Sequence, residues 1–221
     1  DVQIVVVGQF KQGKSALVNA LVSAPVCPVD DVVATSVPTI VRWGQHTTAA
    51  LVTEMAETGE MIRNEVAPDR LRQHVTELAG EVGYLGRLHA GVTLPRRILA
   101  AGLVFVDTPG VGRAQARAST NLTLLPQADA AIMVTDATQE LTEPELSFVK
   151  QAHALCPRIT CVVSKIDLQH QWRGIVQANA EHFTAAGVNV PIIATSALLH
   201  NLAIEEADVV LKAGAHVADL A

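Results

Sequence analysis

The chain has 221 residues, 49% hydrophobic and 17% charged, and its 16 basic and 22 acidic residues give a formal charge of -6. This acidic balance, with an aromatic content of 3%, argues against a nucleic-acid partner, which would need basic groups for phosphates and rings for bases. No apolar run approaches the roughly 20 residues of a membrane-spanning helix, and the first residues lack the basic segment and cleavage site of a signal peptide, so neither is expected.

Short apolar runs alternate with helical patterns along most of the chain. Buried strands are predicted at residues 2–7, 103–106, 130–135, 159–164 and 190–195. Helices are predicted at residues 15–22, 142–155, 173–186 and 204–220, the second opening with the capping signature TEPE. This order predicts right-handed βαβ units, and therefore an α/β fold with a mainly parallel central sheet and helices on both faces.

Residues 41–94 depart from that alternation. Two runs of alternating polarity, at residues 41–43 and 49–54, precede a helix near residues 68–79 and a further strand near residues 88–94. We interpret this stretch as an extension of the same sheet, antiparallel at one edge.

Residues 1–221 are therefore predicted to form a single domain. Charged residues are scarcer than the usual value of about 25%, and the sequence starts inside a strand pattern, which predicts a domain excised from a longer chain. Cys27, Cys156 and Cys161 lack CxxC spacing, so neither a disulfide framework nor a zinc site is expected. A reducing cytosol fits this cysteine usage.

The sequence GQFKQGKS, at residues 8–15, matches the phosphate-binding pattern GxxxxGK[ST] between a predicted strand and a predicted helix. Gly8 and Gly13 let backbone amides approach phosphates, Lys14 neutralises the β and γ oxygens, and Ser15 offers its hydroxyl to Mg²⁺. The nucleotide contacts predicted in this loop are Gly8, Gln9, Phe10, Lys11, Gln12, Gly13, Lys14, Ser15 and Ala16.

A second motif, DTPG, follows the predicted strand at residues 103–106. Ligands of open α/β sheets bind at the carboxyl ends of such strands. Asp107 can hold Mg²⁺ through a water molecule, and Gly110 can donate its backbone amide to a γ-phosphate.

Two later segments, SKID at residues 164–167 and TSA at residues 195–197, are similar to the base-reading loops of GTPases. Asp167 can accept hydrogen bonds from the N1 and N2 donors of guanine, and the stem of Lys165 can cover the ring. The backbone at Ser196 and Ala197 can reach the guanine oxygen. GTP is favoured over ATP, although Ser164 stands where most GTPases carry Asn or Thr.

The loop at residues 25–39 is rich in Pro, Asp and hydroxyl side chains. In a GTPase, a threonine of this loop reaches Mg²⁺ and holds the attacking water through its carbonyl. Thr35 is the preferred candidate, ahead of Ser36 and Thr39.

The chain resembles the bacterial dynamin-like GTPases over essentially its whole length. The resemblance rests on GQFKQGKSALVNALV, residues 28–39, the long extension, GLVFVDTPGVG and SKID. The resemblance implies an extended dynamin-type G domain of the P-loop NTPase class, with Lys14, Thr35 and Gly110 at the catalytic centre. It implies Mg²⁺-dependent hydrolysis of GTP to GDP and phosphate, and G-domain pairing across the nucleotide site. Through helical and membrane-binding regions outside this chain, it implies membrane remodelling at the inner face of a bacterial cell membrane.

Departures from the dynamin pattern concern the attacking water. Phe10 and Lys11 stand where dynamins carry a Gln that places water and a Ser that binds a monovalent cation, and Val111 stands where Ras-like proteins place a Gln. One hypothesis is that the Lys11 ammonium replaces the cation; the alternative is an ordinary solvated lysine. Arg113 and Arg117 are further candidates for a role across a dimer.

Because of these departures, an alternative function is also considered: the chain is a GTP-binding switch or scaffold that hydrolyses GTP weakly. Under the main interpretation, the intrinsic hydrolysis rate is low without dimerisation. A translation or tRNA-modification GTPase is a third reading, which the low basic content argues against.

Overall fold

The computed structural model describes residues 1–29, 37–55, 57–78, 86–110, 122–205 and 215. The strands in these ranges are β1 (Val2–Gly8), β2 (Thr39–Trp43), β3 (Thr48–Met55), β4 (Met61–Val66), β5 (Gly86–Leu94), β6 (Leu103–Asp107), β7 (Ala130–Asp136), β8 (Ile159–Ser164) and β9 (Ile192–Ala194). The helices are α1 (Lys14–Val22), α2 (Leu71–Leu78), α3 (Arg97–Ala100), α4 (Glu143–Leu155), α5 (Trp172–Ala185) and α6 (Ala197–Glu205).

The nine described strands form one sheet in the order β4-β3-β5-β2-β6-β1-β7-β8-β9. From β6 to β9 every neighbouring pair is parallel, and β1 lies between β6 and β7. This half confirms the predicted α/β fold with a mainly parallel sheet. Because parallel strands in register end at the same edge, β1, β6, β7 and β8 present their carboxyl ends together.

The other half of the sheet contains the antiparallel pairs. Strand β2 is antiparallel to β6 and parallel to β5, while β3 is antiparallel to both β5 and β4. The predicted extension with an antiparallel edge is thus confirmed. Strand β4 was not predicted from the sequence because nearly all of its side chains are exposed, so no alternation of apolar residues marks it.

Side chains of β1 alternate between two cores, one on each face of the sheet. Val6 packs with Leu17 of α1 and Phe105 of β6 on one face. Val5 and Val7 pack on the other face with residues of α4 and α5, namely Val149 and Phe183. The prediction of helices on both faces is therefore confirmed.

Helix α4 begins where its capping signature predicts. Thr142 donates from its backbone amide and its hydroxyl to Glu145 Oε2, at 2.9 Å and 2.7 Å, and closes the first turn. Strand β9 is shorter than predicted, because Pro191 has no amide hydrogen to donate to a neighbouring strand.

The chain after β9 differs from its prediction. Helix α6 starts at Ala197, earlier than the helix predicted from residue 204, and residues 206–214 and 216–221 lie outside the described ranges. No helix in the described part of the chain has the length and apolarity to span a bilayer.

Candidate nucleotide-binding site

The predicted site residues that are described lie at one edge of the sheet. Gly8 ends β1, Asp107 ends β6 and Ser164 ends β8, and these strands are parallel in the order β6-β1-β7-β8. Segments separated by more than 150 residues are thereby brought to a common edge. The arrangement is the one in which open α/β sheets bind ligands.

The loop between β1 and α1 requires two glycines. Gly8 has φ +147°, and a Cβ there would lie 2.3 Å from the backbone oxygen of Val134. Gly13 has φ +94° and precedes the first residue of α1, and a Cβ there would lie 3.1 Å from Ser164 Oγ. The first turn of α1 contains no acidic residue, so its amides can receive an anion.

Lys14 is the first residue of α1, and its side chain folds back under the loop. Its ammonium donates a 2.7 Å hydrogen bond to the backbone oxygen of Gln9, and the residue is only 6% exposed. Burial lowers the pKa of Lys14 to about 8, against the opposing influence of the Asp107 carboxylate. A buried ammonium beneath this loop is suited to pair with phosphate oxygens, which would replace the hydration that it lacks.

Ser15 and Asp107 form the centre of the site. Ser15 Oγ donates a 2.6 Å hydrogen bond to Asp107 Oδ2, while Asp107 Oδ1 has no nitrogen or oxygen hydrogen-bond partner among the described residues. Burial raises the pKa of Asp107 to about 6, against the Ser15 hydrogen bond, the Lys14 charge and a hydrogen bond from the Cys27 thiol. A hydroxyl beside a carboxylate with an unused oxygen fits Mg²⁺, which prefers hard oxygen ligands.

Gly110 packs directly on the phosphate loop. A Cβ at Gly110 would lie 2.5 Å from the Cα of Phe10 and 3.1 Å from the ammonium of Lys14. The preceding Thr108 fixes the path of the chain, because its hydroxyl donates a 2.7 Å hydrogen bond to the backbone oxygen of Val6. The DTPG turn therefore contacts the phosphate loop, and only glycine fits at its end.

The SKID segment contacts the phosphate loop from the other side. Ser164 Oγ donates a 2.6 Å hydrogen bond to the backbone oxygen of Gln12. The Lys165 ammonium donates a 2.6 Å hydrogen bond to the backbone oxygen of Lys11 and forms an ion pair with Asp136. Asp136 was missed from the sequence, although its position directly after a predicted strand could have marked it.

Asp167 is held by the TSA segment. The Ser196 hydroxyl donates to Asp167 Oδ1 and accepts a 3.1 Å hydrogen bond from the backbone amide of Leu199 in α6. Only the backbone of Ser196 was predicted from the sequence to lie at the site; the hydrogen bonds of its side chain were not. Ala197 begins α6 beside it. One oxygen of Asp167 is thus engaged, and the carboxylate is oriented.

Two further buried residues lie beside Asp107: Cys27, which the sequence did not predict at the site, and Thr39, which ranked behind Thr35 as the threonine that reaches Mg²⁺. Cys27 is linked to α1 through Asn19, whose Oδ1 accepts a 2.7 Å hydrogen bond from the Cys27 amide. Burial, followed by the neighbouring Asp107 carboxylate, raises the pKa of the Cys27 thiol. Thr39 pairs with Asp107 in the register of β2 and β6.

Several predicted residues lie outside the described ranges, namely Thr35, Ser36, Val111, Arg113 and Arg117. The Lys11 ammonium lies 5.7 Å from the centroid of the Phe10 ring. Lys11 itself has φ +65°, in the left-handed region that non-glycine residues rarely adopt.

These features define a P-loop domain in which the SKID segment contacts the phosphate loop. The sequence pattern of the dynamin family matches residues 4–166, about three quarters of the chain, and the chain belongs to that family. The predicted resemblance is thereby confirmed, and the domain is a dynamin-type G domain. Membership of the family implies the binding of guanine nucleotide.

Curated relatives are longer than this chain. It is 42% identical over 205 residues to the isoniazid-induced protein IniA of Mycobacterium tuberculosis, a match that covers 92% of this chain and 32% of IniA. It is 25% identical over 158 residues to the bacterial dynamin-like protein of Nostoc punctiforme, covering 67% of this chain and 22% of that protein. The chain therefore spans about a third or less of the length of these relatives.

Solved structures share the fold. An oligomerised bacterial dynamin pair, described as sensing and tethering membranes, superposes with a TM-score of 0.78 at 14% identity, over 100% of this chain and 37% of that chain. Era in complex with MgGDPNP and 16S ribosomal RNA superposes with a TM-score of 0.52 at 16% identity, over 96% of this chain and 56% of Era. The likeness is greater to the bacterial dynamin.

Proposed function

We propose that the protein binds GTP with Mg²⁺ and hydrolyses it to GDP and phosphate. The observation that carries the proposal is the convergence of Lys14, the Ser15–Asp107 pair and the Asp167 loop at one edge of the sheet. Family membership supports the nucleotide, and the chemistry of these groups supports the reaction.

On the phosphate side, the amides of the first turn of α1 and the Lys14 ammonium hold the β- and γ-phosphates. Ser15 and Thr35 would hold the magnesium ion directly, and Asp107 would hold it through a water molecule. When bound, the ion supplies positive charge that stabilises the phosphoryl group in transfer. The Gly110 amide binds the γ-phosphate, and the Thr35 carbonyl orients the attacking water.

Lys11 is proposed to contribute further charge during hydrolysis. Its side chain belongs to the phosphate loop, and its backbone is fixed by the Lys165 ammonium. A cation near the transferred group stabilises the charge that develops there. The variant Lys11→Ala is therefore expected to hydrolyse GTP about tenfold more slowly and to gain dependence on K⁺ or Na⁺. An unchanged rate without cation dependence would contradict this role.

On the base side, Asp167 selects guanine through the N1 and N2 donors that adenine lacks. Its carboxylate is oriented by the Ser196 hydroxyl, and Lys165 covers the ring with its aliphatic stem. The variant Asp167→Ala is expected to weaken GTP binding at least tenfold with little change for ATP, because it removes a charged acceptor.

Beyond the chain itself, we propose that G domains pair across the nucleotide site and that regions outside these residues bind a membrane. The oligomerised bacterial dynamin pair, described as tethering membranes, supports this extension. The corresponding location is the inner face of the bacterial cell membrane. RNA binding, as in the Era complex, is not proposed, because the chain has 16 basic against 22 acidic residues.

A second candidate function is a GTP-binding switch or scaffold that hydrolyses weakly. The position of Phe10 favours it: an apolar side chain occupies the loop position that faces Gly110, and offers no group to orient water.

One experiment separates these functions. GTP hydrolysis is measured with Mg²⁺ over a hundredfold range of protein concentration, with ATP as the control nucleotide. Lys14→Ala is the inactive variant, and Lys150→Ala, on the exposed face of α4, is its matched control. A GTP-specific rate per protein that rises with concentration supports the dimer-assisted GTPase. Tight binding without turnover supports the switch, and no GTP binding overturns both.

A further inference from the structure

Thr39 lies directly opposite Asp107 in the antiparallel pair of β2 and β6. Directly opposite residues of such a pair project from the same face of the sheet. The next pair on that face, Val41 and Phe105, belongs to the core that contains Leu17 of α1. Thr39 and Asp107 therefore project toward α1, the helix whose Ser15 hydroxyl donates to Asp107.

Both side chains carry a buried oxygen that lacks a partner. Thr39 is 1% exposed and Asp107 is 0% exposed. Among the described residues, neither Thr39 Oγ1 nor Asp107 Oδ1 has a nitrogen or oxygen hydrogen-bond partner, and the Cys27 thiol at the Asp107 carboxylate is only a weak donor. An unpaired buried polar group is destabilising, and more so if it is charged. Two such oxygens at one register position indicate a shared polar ligand.

We propose that Thr39 is a positioning residue of the magnesium site, whose hydroxyl binds, together with Asp107 Oδ1, a water of the hydrated cation. The inference rests on the proposed function. Mg²⁺ held by one or two protein oxygens keeps several waters, and each water can donate two hydrogen bonds. A hydrated ion therefore satisfies both buried oxygens, whereas an apolar residue at position 39 would satisfy neither.

Such outer contacts typically change metal affinity by about 10- to 100-fold. This role differs from the one assigned to Thr35, which is a direct ligand of the ion in the proposed function. It also gives a reason for a hydroxyl at the buried start of β2, where the neighbouring positions in the core are apolar.

The test compares four forms of the intact protein: wild type, Thr39→Val, Thr39→Ser and Thr135→Val. Thr135 is a matched control, because it is 1% exposed and its hydroxyl also has no hydrogen-bond partner among the described residues. It lies two residues from Met133, which belongs to the opposite core. Release of fluorescent GDP is followed over a range of Mg²⁺ concentrations, and thermal unfolding is followed without nucleotide or Mg²⁺.

Thr39→Val is expected to need about tenfold more Mg²⁺ for half-maximal slowing of GDP release. Thr39→Ser and Thr135→Val are expected to match wild type. The unfolding midpoint of ligand-free Thr39→Val should be no lower than that of wild type, because no protein hydrogen bond is removed.

Three results would overturn the inference while leaving the proposed function standing. They are a Mg²⁺ requirement of Thr39→Val within twofold of wild type, equal shifts in Thr39→Val and Thr135→Val, and a change in GDP release that persists without Mg²⁺. A wild-type protein that retains no GDP at any Mg²⁺ concentration would overturn the proposed function as well.

Discussion

The Lys165 ammonium donates a 2.6 Å hydrogen bond to the backbone oxygen of Lys11, 154 residues earlier in the chain. Both residues adopt positive φ angles, 58° for Lys165 and 65° for Lys11, which cost roughly 1–2 kcal/mol each for a residue with a side chain. The bond offsets part of this cost and joins the base-side loop to the phosphate loop. Disturbing either loop is therefore expected to affect the other.

Replacing Lys165 with Met tests that connection. Met keeps an apolar stem but loses the bond to Lys11 and the ion pair with Asp136, which lies 3.3 Å away. GTP and GDP affinities are expected to fall about tenfold, as the loss of a charge-assisted hydrogen bond implies. Fluorescence titration measures the affinities, with Lys150→Met as control. Equal affinities in the two variants would contradict the connection.

Ser164 provides a second link, through its 2.6 Å bond to the backbone oxygen of Gln12. Ser164→Ala leaves that oxygen unpaired and is expected to weaken the binding of GTP and ATP alike by about fivefold, the equivalent of roughly 1 kcal/mol. Calorimetric titration with both nucleotides measures the change. Ser147→Ala, on the exposed face of α4, is the control, and a loss confined to GTP would argue that Ser164 contacts the base instead.

Unlike Ser164→Ala, the variant Ser196→Ala is expected to weaken the binding of GTP but not of ATP. The variant removes the hydroxyl that orients Asp167, so GTP affinity should fall about tenfold while ATP affinity stays constant. It also removes an acceptor for the Leu199 amide in the first turn of α6, at a cost of about 1 kcal/mol in unfolding free energy. Nucleotide titrations and urea denaturation measure the two effects separately. A parallel loss for ATP would disprove the assignment to the base.

The stability of the ligand-free protein should depend on the ionisation of Asp107. Its pKa is raised from 3.8 to about 6, chiefly by burial. Its contribution to stability is therefore fully present below about pH 4 and is lost as the pH rises through about 6. Lys14 stays charged over this interval, because its pKa is lowered only to about 8.

Urea denaturation of wild type and Asp107→Asn measures the effect. It is carried out at about pH 4.5 and about pH 7, below and above the pKa of Asp107 in the folded protein. The stability of wild type relative to the variant should fall by on the order of 2 kcal/mol between the two pH values. A difference between the two proteins that is independent of pH would show that Asp107 does not titrate in this interval.

A prediction away from the site concerns the start of α4. Thr142→Ala removes the hydroxyl that donates to Glu145 Oε2 at 2.7 Å and should lower the unfolding free energy by about 1 kcal/mol. Nucleotide affinity should not change, because α4 packs on the core away from the loops. A stability equal to wild type, measured by urea denaturation, would contradict the importance of this cap.

The sequence predicted the parts of the site that local patterns encode. The glycines around residues 8–15 and the apolar runs of β1, β6 and β8 specify a loop between a strand and a helix and two further loops at the same edge. The bounds of β8 match the prediction at both ends.

Contacts between segments could not be predicted in the same way. Thr39 meets Asp107 only because β2 pairs antiparallel with β6 in one register, and a shift of one residue would send Thr39 to the other face. The pairing of Lys165 with Asp136 likewise depends on β7 lying next to β8. Both depend on the order of strands in the sheet, which residue types alone do not fix.

The central place of β1 has a consequence for biosynthesis. Residues 2–6 pair with residues 103–107 on one side, and residues 4–8 pair with residues 130–134 on the other. At translation rates of about 5–20 residues per second, the ribosome needs on the order of ten seconds to supply these neighbours. Throughout that interval the apolar strand that leads into the phosphate loop emerges without its partners, which makes it a natural substrate for chaperones that protect nascent chains.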